Sequence, residues 1–117
     1  MKCGLLGQKL GHSYSPLIHS MLGSYEYSLF EKEPYELEAF LNQSDFTGCN
    51  VTIPYKKDVV SYLDELTPVA QKLGAVNTIV RDSNGKLIGH NTDYFGFDGM
   101  LRQLGIDVAG KKAVVLG

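Results

Sequence analysis

Short apolar runs of strand length alternate with segments of helical spacing along almost the whole chain, and this alternation is what most limits the folds open to it. Lys2–Gly7 reads as a strand ending in glycine, followed by a polar loop over Gly7–Ser15. Pro16–Leu22 has Leu17, Ile18, Met21 and Leu22 at helical spacing, with Pro16 at the first helical position. Tyr25–Glu31 is a second, aromatic-rich strand, and Pro34–Asn42 a short helix with Leu37, Phe40 and Leu41 on one face. Gly48–Ile53 is a third strand, ended by Pro54. Lys56–Leu63 and Thr67–Leu73 read as helices, the second opened by Thr67 as N-cap and Pro68 after it. Val76–Arg81 and Lys86–Gly89 flank Ser83-Asn84-Gly85, a hairpin signal. Thr92–Leu104 predicts an amphipathic helix carrying Phe95, Phe97, Met100, Leu101 and Leu104, stopped by Gly105, and Lys112–Gly117 begins a last strand. The expected class is α/β: a three-layer sandwich with a mostly parallel sheet and one antiparallel hairpin.

Composition narrows the function. The 117 residues suffice for one domain with a real core. A formal net charge of -2 offers no basic surface for a phosphate backbone, which argues against nucleic acid as partner. No apolar run approaches membrane-span length, and the start, Met1-Lys2-Cys3-Gly4, lacks the apolar core of a signal peptide, so a cytoplasmic protein is expected. Cys3 and Cys49 each sit in a strand-like run and read as buried free thiols. His12, His19 and His90 form no ligand spacing with them, so no metal is expected.

Parallel α/β sheets bind ligands beyond the carboxyl ends of their strands, which directs attention to the loops there. After the first strand, Ser13 and Ser15 offer two hydroxyls beside a helix start, where free N–H groups favour an anion; Ser15 can equally be only the helix cap. After the third strand, Asn50, Thr52 and Lys56 bracket the rigid Pro54, and a lysine held there can give a proton or a charged hydrogen bond to a substrate oxygen. A lone lysine is more commonly a solvated surface residue. Asn77 stands at a strand entrance, where it either closes a turn or donates to a ligand hydroxyl. Asn91 and Asp93 follow the hairpin; Asp93 in the first turn of a helix is also favourable on dipole grounds alone. Asp64 is either part of this set or a simple turn residue.

Taken together, these segments resemble the shikimate dehydrogenase family. Ser13-Tyr14-Ser15-Pro16 is similar to its Ser-x-Ser-Pro segment, and Asn50-Val51-Thr52-Ile53-Pro54-Tyr55-Lys56 to its Asn-Val-Thr-[Val/Ile]-Pro-[Phe/Tyr]-Lys signature. Asp64-Glu65-Leu66-Thr67, Gly74-Ala75-Val76-Asn77-Thr78 and Gly89-x-Asn91-Thr92-Asp93 match as well, in the family's order. The resemblance implies a domain over residues 1–104 that binds shikimate or 3-dehydroshikimate, within an enzyme of the shikimate pathway of aromatic amino-acid biosynthesis that reduces the latter with NADPH. It implies Ser13 and Ser15 on the substrate carboxylate, Lys56 and Asp93 as the catalytic pair, Thr52 and Asn77 on ring hydroxyls, and Asn91 near the pocket. A quinate or amino-shikimate dehydrogenase, or a non-catalytic shikimate-binding module, would share these motifs.

Residues 105–117 are expected to be a linker and the first strand of an NADP-binding domain, with Gly117 the possible first glycine of its phosphate loop; no G-x-G-x-x-G is present. The chain is therefore expected to bind no cofactor and to catalyse no hydride transfer alone. The apolar run 113–116 is expected to be disordered, to dock on the domain, or to pair with a second copy.

Overall fold

The computed structural model describes residues 1–116. Six strands form one sheet: β1 (Lys2–Gly7), β2 (Glu26–Glu31), β3 (Gly48–Val51), β4 (Glu65–Leu66), β5 (Thr78–Arg81) and β6 (Leu87–His90), in the order β2-β1-β3-β5-β6-β4. The pairs β1–β2, β1–β3 and β4–β6 are parallel, whereas β5 runs against both β3 and β6. One reversed strand in an otherwise parallel sheet is what the Asn84-Gly85 turn produces, with Gly85 at φ +85° where a side chain would be strained.

Alternation along the strands separates two faces. Leu6, Phe30, Cys49, Val51 and Ile79 point to the side where α2 (Leu37–Gln43) and α3 (Pro68–Leu73) lie, and with Leu37, Leu41, Phe46, Tyr55, Val59, Ala70, Val76 and Leu87 they form the core. The opposite face carries Tyr27, Asn50 and Thr78 and receives α1 (Ser15–Leu22), giving the expected three layers. Helix α4 (Asp93–Gln103) has no buried residue; Phe95, Phe97, Met100 and Leu104 are exposed, so its predicted apolar stripe has no partner among the described residues.

One local expectation is corrected, one strand is added, and one of three alternatives is excluded. Lys56–Leu63 is not an α-helix: a turn at Pro54–Lys57 leads into a 3-10 segment, Asp58–Tyr62, closed by bonds such as Val60 N–H to Lys57 O at 3.2 Å. Buried Tyr55 and Val59 pin this stretch to the core, and the β-branched pair Val59-Val60 lowers helix propensity. The edge strand β4 is two residues long, too short for any periodicity to reveal. Residues 112–116 join no strand, and Val114, Val115 and Leu116 are exposed, so this run does not dock on the domain. The expectation about Gly117 lies outside the described residues.

Among the described residues no helix is long and apolar enough to cross a membrane. Cys3 and Cys49 are both free; Cys49 is buried as expected, and Cys3 only half-buried.

Candidate functional site

The carboxyl ends of β1 and β3, the entrance to β5 and the start of α4 converge, and they bring most of the predicted residues together. Asp93 is the centre. Its Oδ2 accepts from Lys56 Nζ at 2.5 Å, and its Oδ1 from Asn77 Nδ2 at 2.9 Å. Lys56 and Asp93 are 37 positions apart in the chain, so only the fold joins them. Their side chains stay 34% and 58% exposed, which leaves the ammonium open to a ligand.

The turn holding Lys56 is anchored from below. Tyr55 is fully buried and its hydroxyl donates to Lys32 O at 2.5 Å, while Tyr55 N–H donates to Thr52 O at 2.9 Å. The Ile53-Pro54 peptide within this turn is cis. Lys56 O then accepts from Val76 N–H at 2.7 Å, tying the lysine to the strand entrance where Asn77 stands. Sequence reading missed Tyr55 as an anchor. The available signal was an aromatic residue with a polar tip inside a turn of polar neighbours.

Asn77 fastens α4 to the sheet. Its Nδ2 donates to Thr92 Oγ1 at 2.7 Å as well as to Asp93, and its Oδ1 accepts from Thr92 N–H at 2.8 Å and from Thr78 Oγ1 at 3.2 Å. Both amide hydrogens are thus engaged within the protein, and Asn77 sets the orientation of Asp93. Asn91 is turned inward and buried: Nδ2 donates to Ala75 O at 3.0 Å, and Oδ1 accepts from Tyr94 N–H at 3.1 Å, satisfying one of the orphan donors at the start of α4. Asp64 takes the turn role, accepting from Leu87 N–H at 2.7 Å and fixing β4 beside β6.

At the other end lie Ser13, Ser15 and Thr52. Helix α1 begins at Ser15 itself, so Ser15 is not the cap; its N–H is taken by Ser13 Oγ at 3.2 Å. Both serines are half-buried. Thr52 places its methyl against Gly7, where a Cβ would meet Thr52 Cγ2 at 2.9 Å and Leu10 Cδ2 at 2.6 Å, so glycine is required for β1 to end beside this threonine. An open hollow lined by Gln8, Lys9, Thr52, Ile53 and Pro54 lies here.

One group in this region is strongly perturbed. Burial pushes the Tyr27 phenol up to about 12, with the neighbouring Ser15 hydroxyl acting in the opposite direction. Among the described residues no three or more His, Cys, Asp or Glu gather as metal ligands.

An α/β domain with a lysine–carboxylate pair and several hydroxyl and amide groups at its strand ends is built for a small, oxygen-rich ligand. Residues 5–79 match the family model described as the shikimate dehydrogenase substrate binding domain, and the chain belongs to this family. It is 43% identical to the NADP(+) shikimate dehydrogenase of Symbiobacterium thermophilum, over 97% of this chain and 41% of that protein, and 45% identical to that of Clostridium beijerinckii, over 97% and 45%. Among solved structures, shikimate dehydrogenase 1 of Peptoclostridium difficile superposes with a TM-score of 0.88 at 42% identity, covering 100% of this chain and 46% of that one. The Thermus thermophilus enzyme in complex with shikimate gives 0.82 at 33% identity, covering 94% of this chain and 45% of that one. The chain therefore spans less than half the length of these relatives.

Proposed function

We propose that the chain is the substrate-binding half of an NADP-dependent shikimate dehydrogenase, a cytoplasmic biosynthetic enzyme reducing 3-dehydroshikimate to shikimate. The observation that carries this reading is the Lys56–Asp93 pair at 2.5 Å, held by Asn77 at the mouth of the sheet. Ser13 and Ser15 take the substrate carboxylate, and the Thr52 hydroxyl takes a ring hydroxyl. Asn77 serves the ring mainly through Asp93, since its own donors are in use. Asn91 supports the site from within.

Reduction of a ketone places negative charge on its oxygen. The Lys56 ammonium stabilises that charge and can pass a proton to it, and Asp93 keeps the lysine charged and oriented. We assign the dinucleotide site, and with it the hydride of the nicotinamide, to the remainder of the longer NADP(+) enzymes, of which this chain covers less than half. We place the domain boundary after residue 104, where α4 has ended and Gly105 takes φ +66°. The exposed apolar run 113–116 is the segment through which two copies would associate, which concentration-dependent sedimentation tests.

An NMR titration with shikimate tests the site. Shifts are expected to cluster at residues 13–17, 52–56, 77 and 91–93. Their absence at millimolar shikimate in a folded chain, or clustering elsewhere, would refute the reading that this half of the cleft is preformed.

A further inference from the structure

The two ends of the site are joined by side chains. The Tyr27 hydroxyl on β2 reaches across β1 and donates to Asn50 Oδ1 at 2.8 Å. Asn50 Nδ2 donates to Thr78 Oγ1 at 3.3 Å, and the Thr78 hydroxyl donates on to Asn77 Oδ1 at 3.2 Å. Asn77 Nδ2 then donates to Asp93, which holds Lys56. Every donor in this chain points toward the Asp93 carboxylate, and a directional series of this kind polarises each member in the same sense. At its far end the Tyr27 ring is stacked on by His19 of α1, the helix that Ser15 opens, with centroids 3.7 Å apart.

Thr78 is the only bridge between the two halves of the series among the described residues. It lies on β5 next to Asn77 in sequence and opposite Asn50 in register, so one hydroxyl meets both amides. The Thr92 N–H, which can only donate, and the Asp93 carboxylate, which can only accept, orient Asn77 with its oxygen toward Thr78. The Thr78 hydroxyl therefore donates to Asn77 and is left to accept from the Asn50 NH2, which carries that orientation on to Asn50. We propose that Thr78 is a positioning residue that couples the Ser13/Ser15 end of the site to the Lys56–Asp93 end through its hydroxyl. This rests on the reading above that the two ends hold one ligand between them.

Thr78→Val and Thr78→Ser separate the hydroxyl from the methyl while keeping β5 intact, because valine is isosteric and β-branched. Without ligand, Tyr27→Phe is expected to shift the Asn77 side-chain amide resonances in the unaltered chain and in Thr78→Ser, but not in Thr78→Val. With shikimate, Thr78→Val is expected to weaken binding about fivefold, the worth of one ordinary hydrogen bond, and Thr78→Ser to restore it. If the Asn77 amide ignores Tyr27→Phe, or responds equally in Thr78→Val, the coupling is overturned. Equal affinities of the valine and serine variants would overturn it too. Failure of the unaltered chain to bind shikimate would overturn the reading that this half of the cleft is preformed and the ligand half of this one, while the ligand-free resonances decide the relay separately.

Discussion

Arg81 makes the sharpest test of how this fold is held. Its guanidinium donates to four carbonyls: Leu41 O and Ser44 O at 3.0 Å each, Gly85 O at 3.0 Å, and Phe46 O at 3.3 Å. It also lies over the Phe46 ring, 5.1 Å from the centroid. Leu41 lies in the last turn of α2 and Ser44 just beyond it, where helix carbonyls lack intrahelical donors and the dipole favours a cation. One side chain thus ties α2, the strand entrance at Phe46 and the Asn84-Gly85 hairpin. Arg81→Met keeps the stem and removes all of these bonds. The part-buried bonds contribute about 1 kcal/mol each net, the exposed bond to Gly85 less, and the ring contact about 0.5–1 kcal/mol. The expected loss is about 4 kcal/mol, a large share of the 5–15 kcal/mol typical of a domain. With a urea slope of about 1.5 kcal/mol per molar, the unfolding midpoint should fall by about 2.5 M. Arg81→Lys should recover only a minor part, since a point charge cannot fork to four acceptors. A midpoint change below about 0.5 M in Arg81→Met would refute the argument that this guanidinium organises the domain.

Other substitutions separate packing from function. A Cβ on Gly89 would meet Leu63 Cδ1 at 2.6 Å, Leu66 Cδ2 at 2.7 Å and Val76 Cγ2 at 2.8 Å, so Gly89→Ala should cost about 1–3 kcal/mol in denaturant unfolding. Lys56→Met should change stability by less than about 1 kcal/mol, because the ion pair is substantially exposed, yet abolish the shikimate-induced shifts. A large stability loss there would mean the pair is structural. Burial pushes the Cys49 thiol up to about 12, as it does the Tyr27 phenol. The unfolded chain releases both protons at their ordinary values, near ~8.5 and ~10, while the folded chain retains them. Stability should therefore be intact below about pH 8.5 and fall progressively toward pH 12. Urea midpoints at about pH 8 and pH 10.5 check this, and Cys49→Ala should flatten the early part of the decline.

What the sequence determined by itself was the order of elements and the residue types at their ends. Strand and helix periods, the Asn84-Gly85 turn and the glycine stops are local, and so are legible in the chain. Ser13, Ser15, Thr52, Lys56, Asn77 and Asp93 stand out in the chain because they fall in the family's ordered motifs, several near strand ends, where a parallel sheet offers positions to a ligand. Local pattern misled where tertiary contacts overrode it. The Lys56–Leu63 segment has helical spacing, but Tyr55 and Val59 are drawn into the core and leave it as a turn and a 3-10 stretch. Asn91 stands in a motif of the family, and the structure adds its internal partners, Ala75 O and Tyr94 N–H, which no pattern in the chain announces. The family resemblance pairs Lys56 with Asp93, but only the tertiary structure shows their direct contact across 37 positions and decides that Tyr27, Asn50 and Thr78 line up on three strands. Hydrogen bonds act over about 3 Å in space and carry no trace of sequence separation, so partners that the sheet register brings together cannot be read along the chain.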